Sequence, residues 1–415
     1  MKESLDKQSD FDHLFRNEAR KMIAVLVKIY GFHRVDLVED IVQDTFISAL
    51  NSWKLNGLPE KPTAWLYSVA KNKIINQIKR ENLYDKIIKE NTNIFPLEYS
   101  IISKLEEGQK EIEDTQLKMF FCICHPDIHE DSQIALALKT LCAFSIDEIS
   151  RSFLISKDTV NKRLYRAREK IRFSKMNLEF PEPNLLTERL DRVLKCIYLL
   201  FNEGYYSSSK ETILRKDLCL EAMRLTILLT ENQMTNLPNV NALLAIMCYH
   251  SSRFESRMSD TGEIFTLEEQ DKSKWSTELI QKGHFYLSKS ISSDTNGEYQ
   301  IQAMIAYLHT IEDSPTKWSH LLSLYEKLFN ISYSPIVAMN KAFVLSKVCG
   351  VNAGINELLT LNGLGENHLY HLLLSKLYQS VDVSKANFHL QTCLNFCPSQ
   401  IERSIIKQKF GITEQ

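Results

Sequence analysis

Apolar residues recur along this chain at spacings of three and four and rarely alternate, so the backbone has little to build but helices. The run Leu37, Val38, Ile41, Val42, Thr45, Phe46, Ala49 and Leu50 is typical: one apolar face, ending near Trp53. Glycine is scarce, with 12 in 415 residues, and strand patterns are few. The fold class expected is therefore all-α. A composition of 44% hydrophobic and 25% charged residues suits globular structure and excludes wholesale disorder. The length predicts two or three domains, each able to bury a core. No apolar run reaches the ~18 residues of a membrane span, and the opening MKESLDKQSDFDHLF lacks an apolar signal core. A cytoplasmic protein without a membrane partner is the expectation.

Nine cysteines (Cys122, Cys124, Cys142, Cys196, Cys219, Cys248, Cys349, Cys393 and Cys397) are scattered through apolar helical patterns. An odd, dispersed set reads as buried reduced thiols. Cys122, Cys124 and His125 look like half of a metal hook, but no second Cys/His pair follows at finger spacing. No metal or other cofactor is expected.

Breaks in the periodicity divide the chain. Helical patterning over 10–80 is interrupted at Asn56-Gly57-Leu58-Pro59 and gives way to a polar, charge-mixed linker over 81–115. It resumes over 116–180, stops at Phe180-Pro181-Glu182-Pro183, and continues from 184 to 415 as amphipathic segments with short joints. The formal charge of −2 hides a segregation. Residues 61–80 hold Lys61, Lys71, Lys73, Lys79 and Arg80 and no acid, while 151–175 hold nine cations against Asp158 and Glu169. Acids gather instead at Asp36, Glu39, Asp40 and Asp44.

The second basic segment has the form of a helix-turn-helix. Ser145 and Glu148 make a capping box ahead of a short helix. Leu154-Ile155-Ser156 forms a tight turn, and Ser156 caps a longer helix. Along that helix Val160, Leu164, Ala167 and Ile171 fall on one line, with Lys162, Arg163, Arg166 and Lys170 on the other side. Such a helix reads base edges in the major groove while its cations hold phosphates. The first basic segment interleaves Trp65 and Tyr67 with Lys71, Asn72, Lys73, Asn76, Gln77, Lys79 and Arg80. That mixture suits capture of unpaired bases, although Trp65 also fits a core position.

Together these stretches resemble a bacterial sigma factor of the extracytoplasmic-function group. The resemblance is carried by Asp36-Leu-Val-Glu-Asp-Ile-Val-Gln-Asp-Thr-Phe46, Ala64-Trp-Leu-Tyr-Ser-Val-Ala-Lys-Asn72, Ile78-Lys-Arg80 and Ser156-x-x-Thr159-Val160-x-x-Arg163-Leu164-x-Arg166-Ala167-Arg168. Phe121-Cys-Ile-Cys-His-Pro126, Leu199-Leu-Phe-Asn-Glu-Gly-Tyr205, Gln270-Asp-Lys-Ser-Lys-Trp275, Tyr299-Gln-Ile-Gln-Ala303 and Asn340-Lys-Ala342 are similar to a subgroup with a large helical, tetratricopeptide-like C-terminal extension. The resemblance implies sigma region 2 over 10–80, a flexible linker, sigma region 4 over 116–180, and a repeat-like helical extension over 184–415.

It also implies roles. Asp36, Glu39, Asp40, Gln43 and Asp44 would dock on core RNA polymerase. Asn56, Gly57 and Leu58 would take a flipped base of the minus-ten element, and Lys71, Asn72, Lys73, Asn76, Gln77, Lys79 and Arg80 would hold the opened strand. Ser156, Lys157, Asp158, Thr159, Asn161, Lys162, Arg163, Arg166 and Arg168 would read the minus-35 element of promoter DNA.

Function on this reading is recruitment, not catalysis, since no nucleophile elbow or phosphate-cradling loop is present. A helix-turn-helix regulator with a ligand- or partner-sensing helical domain is the alternative. It leaves the acidic helix and 64–80 without a role. An enzyme fused to a DNA-binding head has no supporting motif. The polar-aromatic motifs of the extension suit either helix joints or a groove for a protein or small-ligand partner.

Overall fold

The computed structural model describes residues 15, 18–88, 109–153, 155–174, 176–205, 215–257, 265–291, 297–397 and 400–410. Most of the 81–115 linker lies outside them. Every regular element among the described residues is helical, as the periodicity predicts. The chain divides into two compact units, Met1–Leu200 and Phe201–Gln415.

In the first unit α1 (residues 18–30) is followed by a 3-10 turn at Phe32–Arg34, α2 (Val35–Asn56) and α3 (Pro62–Ile88). The apolar line read in α2 is buried at Val38, Ile41, Val42, Phe46 and Ala49, as are Met22 and Leu26 of α1 and Leu66, Ala70 and Ile74 of α3. Gly57, at φ 78, closes α2 by donating its N–H to the Trp53 carbonyl. That left-handed conformation suits glycine best.

The same unit continues with α4 (Gln109–Ile123), α5 (Glu130–Leu141), α6 (Ile146–Phe153) and α7 (Lys157–Phe173). Both predicted caps form. The Ser145 N–H donates to Glu148 at 2.8 Å while the Glu148 N–H donates back to Ser145 Oγ at 3.2 Å. The Thr159 N–H donates to Ser156 Oγ at 3.1 Å. Each cap satisfies a backbone donor that a helix start leaves open, worth about 1 kcal/mol. Pro183 then opens α8 (Pro183–Tyr205). Its first part buries Leu190, Val193, Leu194 and Ile197, Arg189 donates to the Phe121 carbonyl, and Lys195 meets Glu130 at 2.7 Å.

The second unit contains the end of α8, then α9 (Lys216–Glu231), α10 (Pro238–Ser251), a single turn at Phe254–Arg257, and α12 (Thr277–Ser290), with that turn counted as α11. The series goes on through α13 (Glu298–Leu308), α14 (Pro315–Ile331), α15 (Pro335–Cys349), α16 (Val351–Leu359), α17 (His368–Tyr378), α18 (Val383–Phe396) and α19 (Gln400–Lys409). Helix α10 is apolar on all sides and buried from Val240 to Tyr249. The core advances with the chain. One cluster joins α10, α12 and α13, the next α13 to α15, the next α15 to α18, and the last includes α18 and α19. Each helix pair buries its apolar face against its sequence neighbours, the stacking logic of a helical repeat. Gly283 lets α12 approach α10, since a Cβ there would lie 2.5 Å from the Tyr249 ring.

Candidate nucleic-acid interface

Helix α7 carries the candidate recognition face because its apolar line fixes its rotation. Val160, Leu164, Ala167 and Ile171 are all at most 2% exposed, anchoring one side in the unit. Ser156, Lys157, Asp158, Asn161, Lys162, Arg166 and Lys170 are consequently exposed, and Thr159 is half-buried. Lys157 pairs with Asp147 at 2.7 Å, bridging the two helices of the motif. Three other cations point back into the protein. Arg163 pairs with Asp131 of α5 at 2.7 Å, Arg172 pairs with Asp36 at 2.7 Å, and Arg168 pairs with Glu39.

Those pairs join the two ends of the unit. Asp36 and Glu39 belong to the acidic face of α2, so two of the five acids and amides read as polymerase contacts are held by α7. Glu39 is 4% exposed and also accepts from the Thr140 hydroxyl of α5. A buried carboxylate is tolerated because a guanidinium and a hydroxyl satisfy it together. Asp40, Gln43 and Asp44 remain exposed on the same helix, beside Ile47 and Leu50, each 49% exposed. Partial desolvation of its carboxyl, opposed by Arg168 and reinforced by Asp36 and Asp44, holds Asp40 above its usual range. A cavity of about 220 Å³ lies beside these pairs, lined by Phe15, Ile23, Glu39, Gln43, Lys139 and Phe144 among others. The contact between the two ends thus includes two ion pairs.

Around α3 the residues read as minus-ten contacts divide by exposure. Asn56, Gly57 and Leu58 are exposed at the end of α2, Leu58 to 67%. Asn72, Asn76, Lys79 and Arg80 are exposed on α3, whereas Lys71 and Gln77 are half-buried and both engaged. Lys73 donates to the Asp44 carbonyl at 2.8 Å and to Ser48 Oγ at 3.0 Å, which ties α3 to α2. Trp65 is half-buried with its ring 5.6 Å from that of Trp53, and Tyr67 is buried.

The cysteines behave as core thiols. All nine are free, and every one except Cys349 is buried. Burial pushes the Cys122 thiol up to about 11 and holds Cys124 well above its usual range. Sequence reasoning missed one set of ligand-type atoms, His368, Cys397 and Glu402, which lie within 4.8 Å of one another. His368 and Glu402 already meet at 3.3 Å. The three come from separate elements, so no local spacing announces them.

Comparison with known families follows the same divisions. A model described as sigma-70 region 2 matches residues 14–83, and one described as sigma-70, region 4, matches 128–171. A family of unknown function, DUF6596, matches 189–291. The chain is 32% identical over 335 residues to an uncharacterized protein of Rhizobium meliloti (strain 1021), covering 78% of this chain and 77% of the relative. No solved structure matches. Among the described residues no helix is long and apolar enough to cross a membrane. With region 2 and region 4 in order on one chain, a capped cationic helix in the second and a helical extension behind it, the chain belongs to the sigma-70 family: it is a sigma factor of extracytoplasmic-function type that directs promoter-specific transcription.

Proposed function

We propose that region 2 comprises residues 10–80, the linker 81–115 and region 4 residues 116–180, with 184–415 modulating what they do. Region 4 reads the minus-35 element through Ser156, Lys157, Asp158, Thr159, Asn161, Lys162, Arg163, Arg166 and Arg168. Asn56, Gly57 and Leu58 take a base of the melted minus-ten element, where no intact stack has to be broken. Lys71, Asn72, Lys73, Asn76, Gln77, Lys79 and Arg80 hold the opened strand, and Lys73 must first leave its α2 partners. Asp36, Glu39, Asp40, Gln43 and Asp44 dock on core polymerase. The chain supplies no bond-making chemistry of its own and works in the cytoplasm, where promoter and polymerase meet.

The observation that best supports this reading is the two-sidedness of α7, buried along one apolar line and cationic along the other. The pairs Arg168–Glu39 and Arg172–Asp36 suggest that the arrangement described is a closed form. In it the DNA-reading Arg168 and its neighbour Arg172 neutralise two polymerase-docking acids, and both partners require α7 to leave α2. Promoter binding by the reconstituted polymerase tests the assignment. Arg166→Ala should weaken binding to a promoter with an intact minus-35 element about tenfold. A promoter with a scrambled element should show a much smaller loss. Equal losses on both promoters would remove Arg166 from base reading.

A further inference from the structure

Two motifs of the extension that sigma function leaves unused, 199–205 and 270–275, converge in the second unit on a pair of arginines. All lie within the stretch matched by the family of unknown function. Tyr205 ends α8, Arg253 and Arg257 flank the turn after α10, and Trp275 precedes α12. Gly204 permits the close packing here, since a Cβ would lie 2.9 Å from the Arg215 carbonyl and the Cys219 nitrogen. The Arg257 guanidinium lies 3.8 Å from the centre of the Tyr205 ring. Arg253 lies 5.9 Å from that ring and 5.7 Å from the ring of Trp275, which Lys272 also approaches at 5.9 Å.

Arg253 is the anomaly. It is only 9% exposed, and among the described residues no carboxylate pairs with it. Its Nη2 contacts Nδ1 of His250, a neutral partner: burial and the two guanidiniums hold that imidazole well below its usual range. His309, on the same side, is pushed down to about 3 by burial, Arg253 and Lys317. Arg253 Nε and Trp275 Nε1 are buried donors with no acceptor, and Trp275 is 6% exposed. Aromatic faces attract a cation but accept no in-plane hydrogen bond. A buried guanidinium left in that state is costly, and the missing component is negative charge with acceptor oxygens.

We infer that Arg253 and the Trp275 Nε1–H, with Arg257 and Lys272 beside them, bind a small oxyanion, the carboxylate or phosphate group of a free metabolite. An arginine fork meets either group with two parallel hydrogen bonds. The depth of Arg253 and Trp275 suits a small group over a flat macromolecular face. The extension then acts as a sensor on a transcription factor, a role independent of which promoter bases the factor reads.

Titration calorimetry on the full chain tests this, with inorganic phosphate and succinate as probes and chloride at equal ionic strength as the control. One probe or both should bind saturably at one site per chain, and which of them binds identifies the anion class. Arg253→Gln should weaken that binding at least about tenfold. Trp275→Phe, which keeps an aromatic ring and removes the donor, should weaken it several-fold. Lys289→Gln, at a cation resting on Phe285, should leave it unchanged. If Arg253→Gln fails to fold, Trp275→Phe carries the test alone. No saturable binding of either probe, or unaltered affinity in the folded Arg253 and Trp275 variants, would overturn the inference.

Discussion

At the scale of single residues, burial and charge decide which groups are chemically poised. His309 shows this most simply. Its imidazole is held neutral in the fold, with a pKa near 3 set by burial and by Arg253 and Lys317. The unfolded chain binds that proton near pH 6.5. The contribution of His309 to stability is therefore complete above about pH 6.5 and lost progressively as pH falls towards 3. Urea midpoints followed downward from neutral pH should fall, and His309→Gln should flatten the decline. A variant that keeps the full slope would assign the effect to other groups. Glu203 works in the opposite sense. Burial, opposed by Arg215, raises its carboxyl to about 7, so its share of stability is present at low pH and fades as pH rises through 7.

At the scale of elements, α7 and α2 carry the reading. The rotation of α7 was legible in sequence because Val160, Leu164, Ala167 and Ile171 repeat at helical spacing. Its caps were legible because Ser145, Glu148 and Ser156 stand where helix starts need acceptors. The partners of Arg168 and Arg172 were not, since Glu39 and Asp36 lie more than a hundred residues away and long-range pairing leaves no local periodicity. The two acceptors of Lys73 on α2 are hidden from sequence for the same reason, being set by helix packing alone. Arg172 offers a test of the closed form, because it pairs with Asp36 and stands outside the proposed reading set. Arg172→Ala removes an exposed pair worth at most about 1 kcal/mol, so folding should be unaffected. Affinity for core polymerase should rise up to about fivefold in low salt, with the gain shrinking as salt screens the remaining pair. Unchanged or weaker affinity would argue against a closed form held by these pairs.

At the scale of the whole molecule, the order of domains is plain in sequence and the boundary between compact units is not. Pro183 opens α8 well after α7 has ended at Phe173, while the contact boundary falls later, at Leu200–Phe201, inside α8. A proline reports backbone geometry, and contact boundaries depend on which apolar side chains find partners. The difference bears on truncation. Ending the chain at residue 182 removes Leu190, Val193, Leu194 and Ile197 from the first unit together with the Arg189 bond to Phe121. Loss of that much buried apolar surface is worth several kcal/mol. A chain ending after Tyr205 keeps those groups and should melt markedly higher than one ending at 182, by calorimetry. Equal melting would mean that α8 contributes nothing to the first unit.

The convergence of Tyr205 and Trp275 on Arg253 also lay beyond sequence reading, which names the motifs that hold the two aromatics but does not bring them together. The central claim concerns the assembled molecule, and transcription in a purified system tests it most directly. Core polymerase with this chain should initiate at one defined start on promoter DNA carrying both elements, and initiation should be lost when either element is scrambled. Polymerase that gains no promoter-specific initiation from the chain would contradict the account.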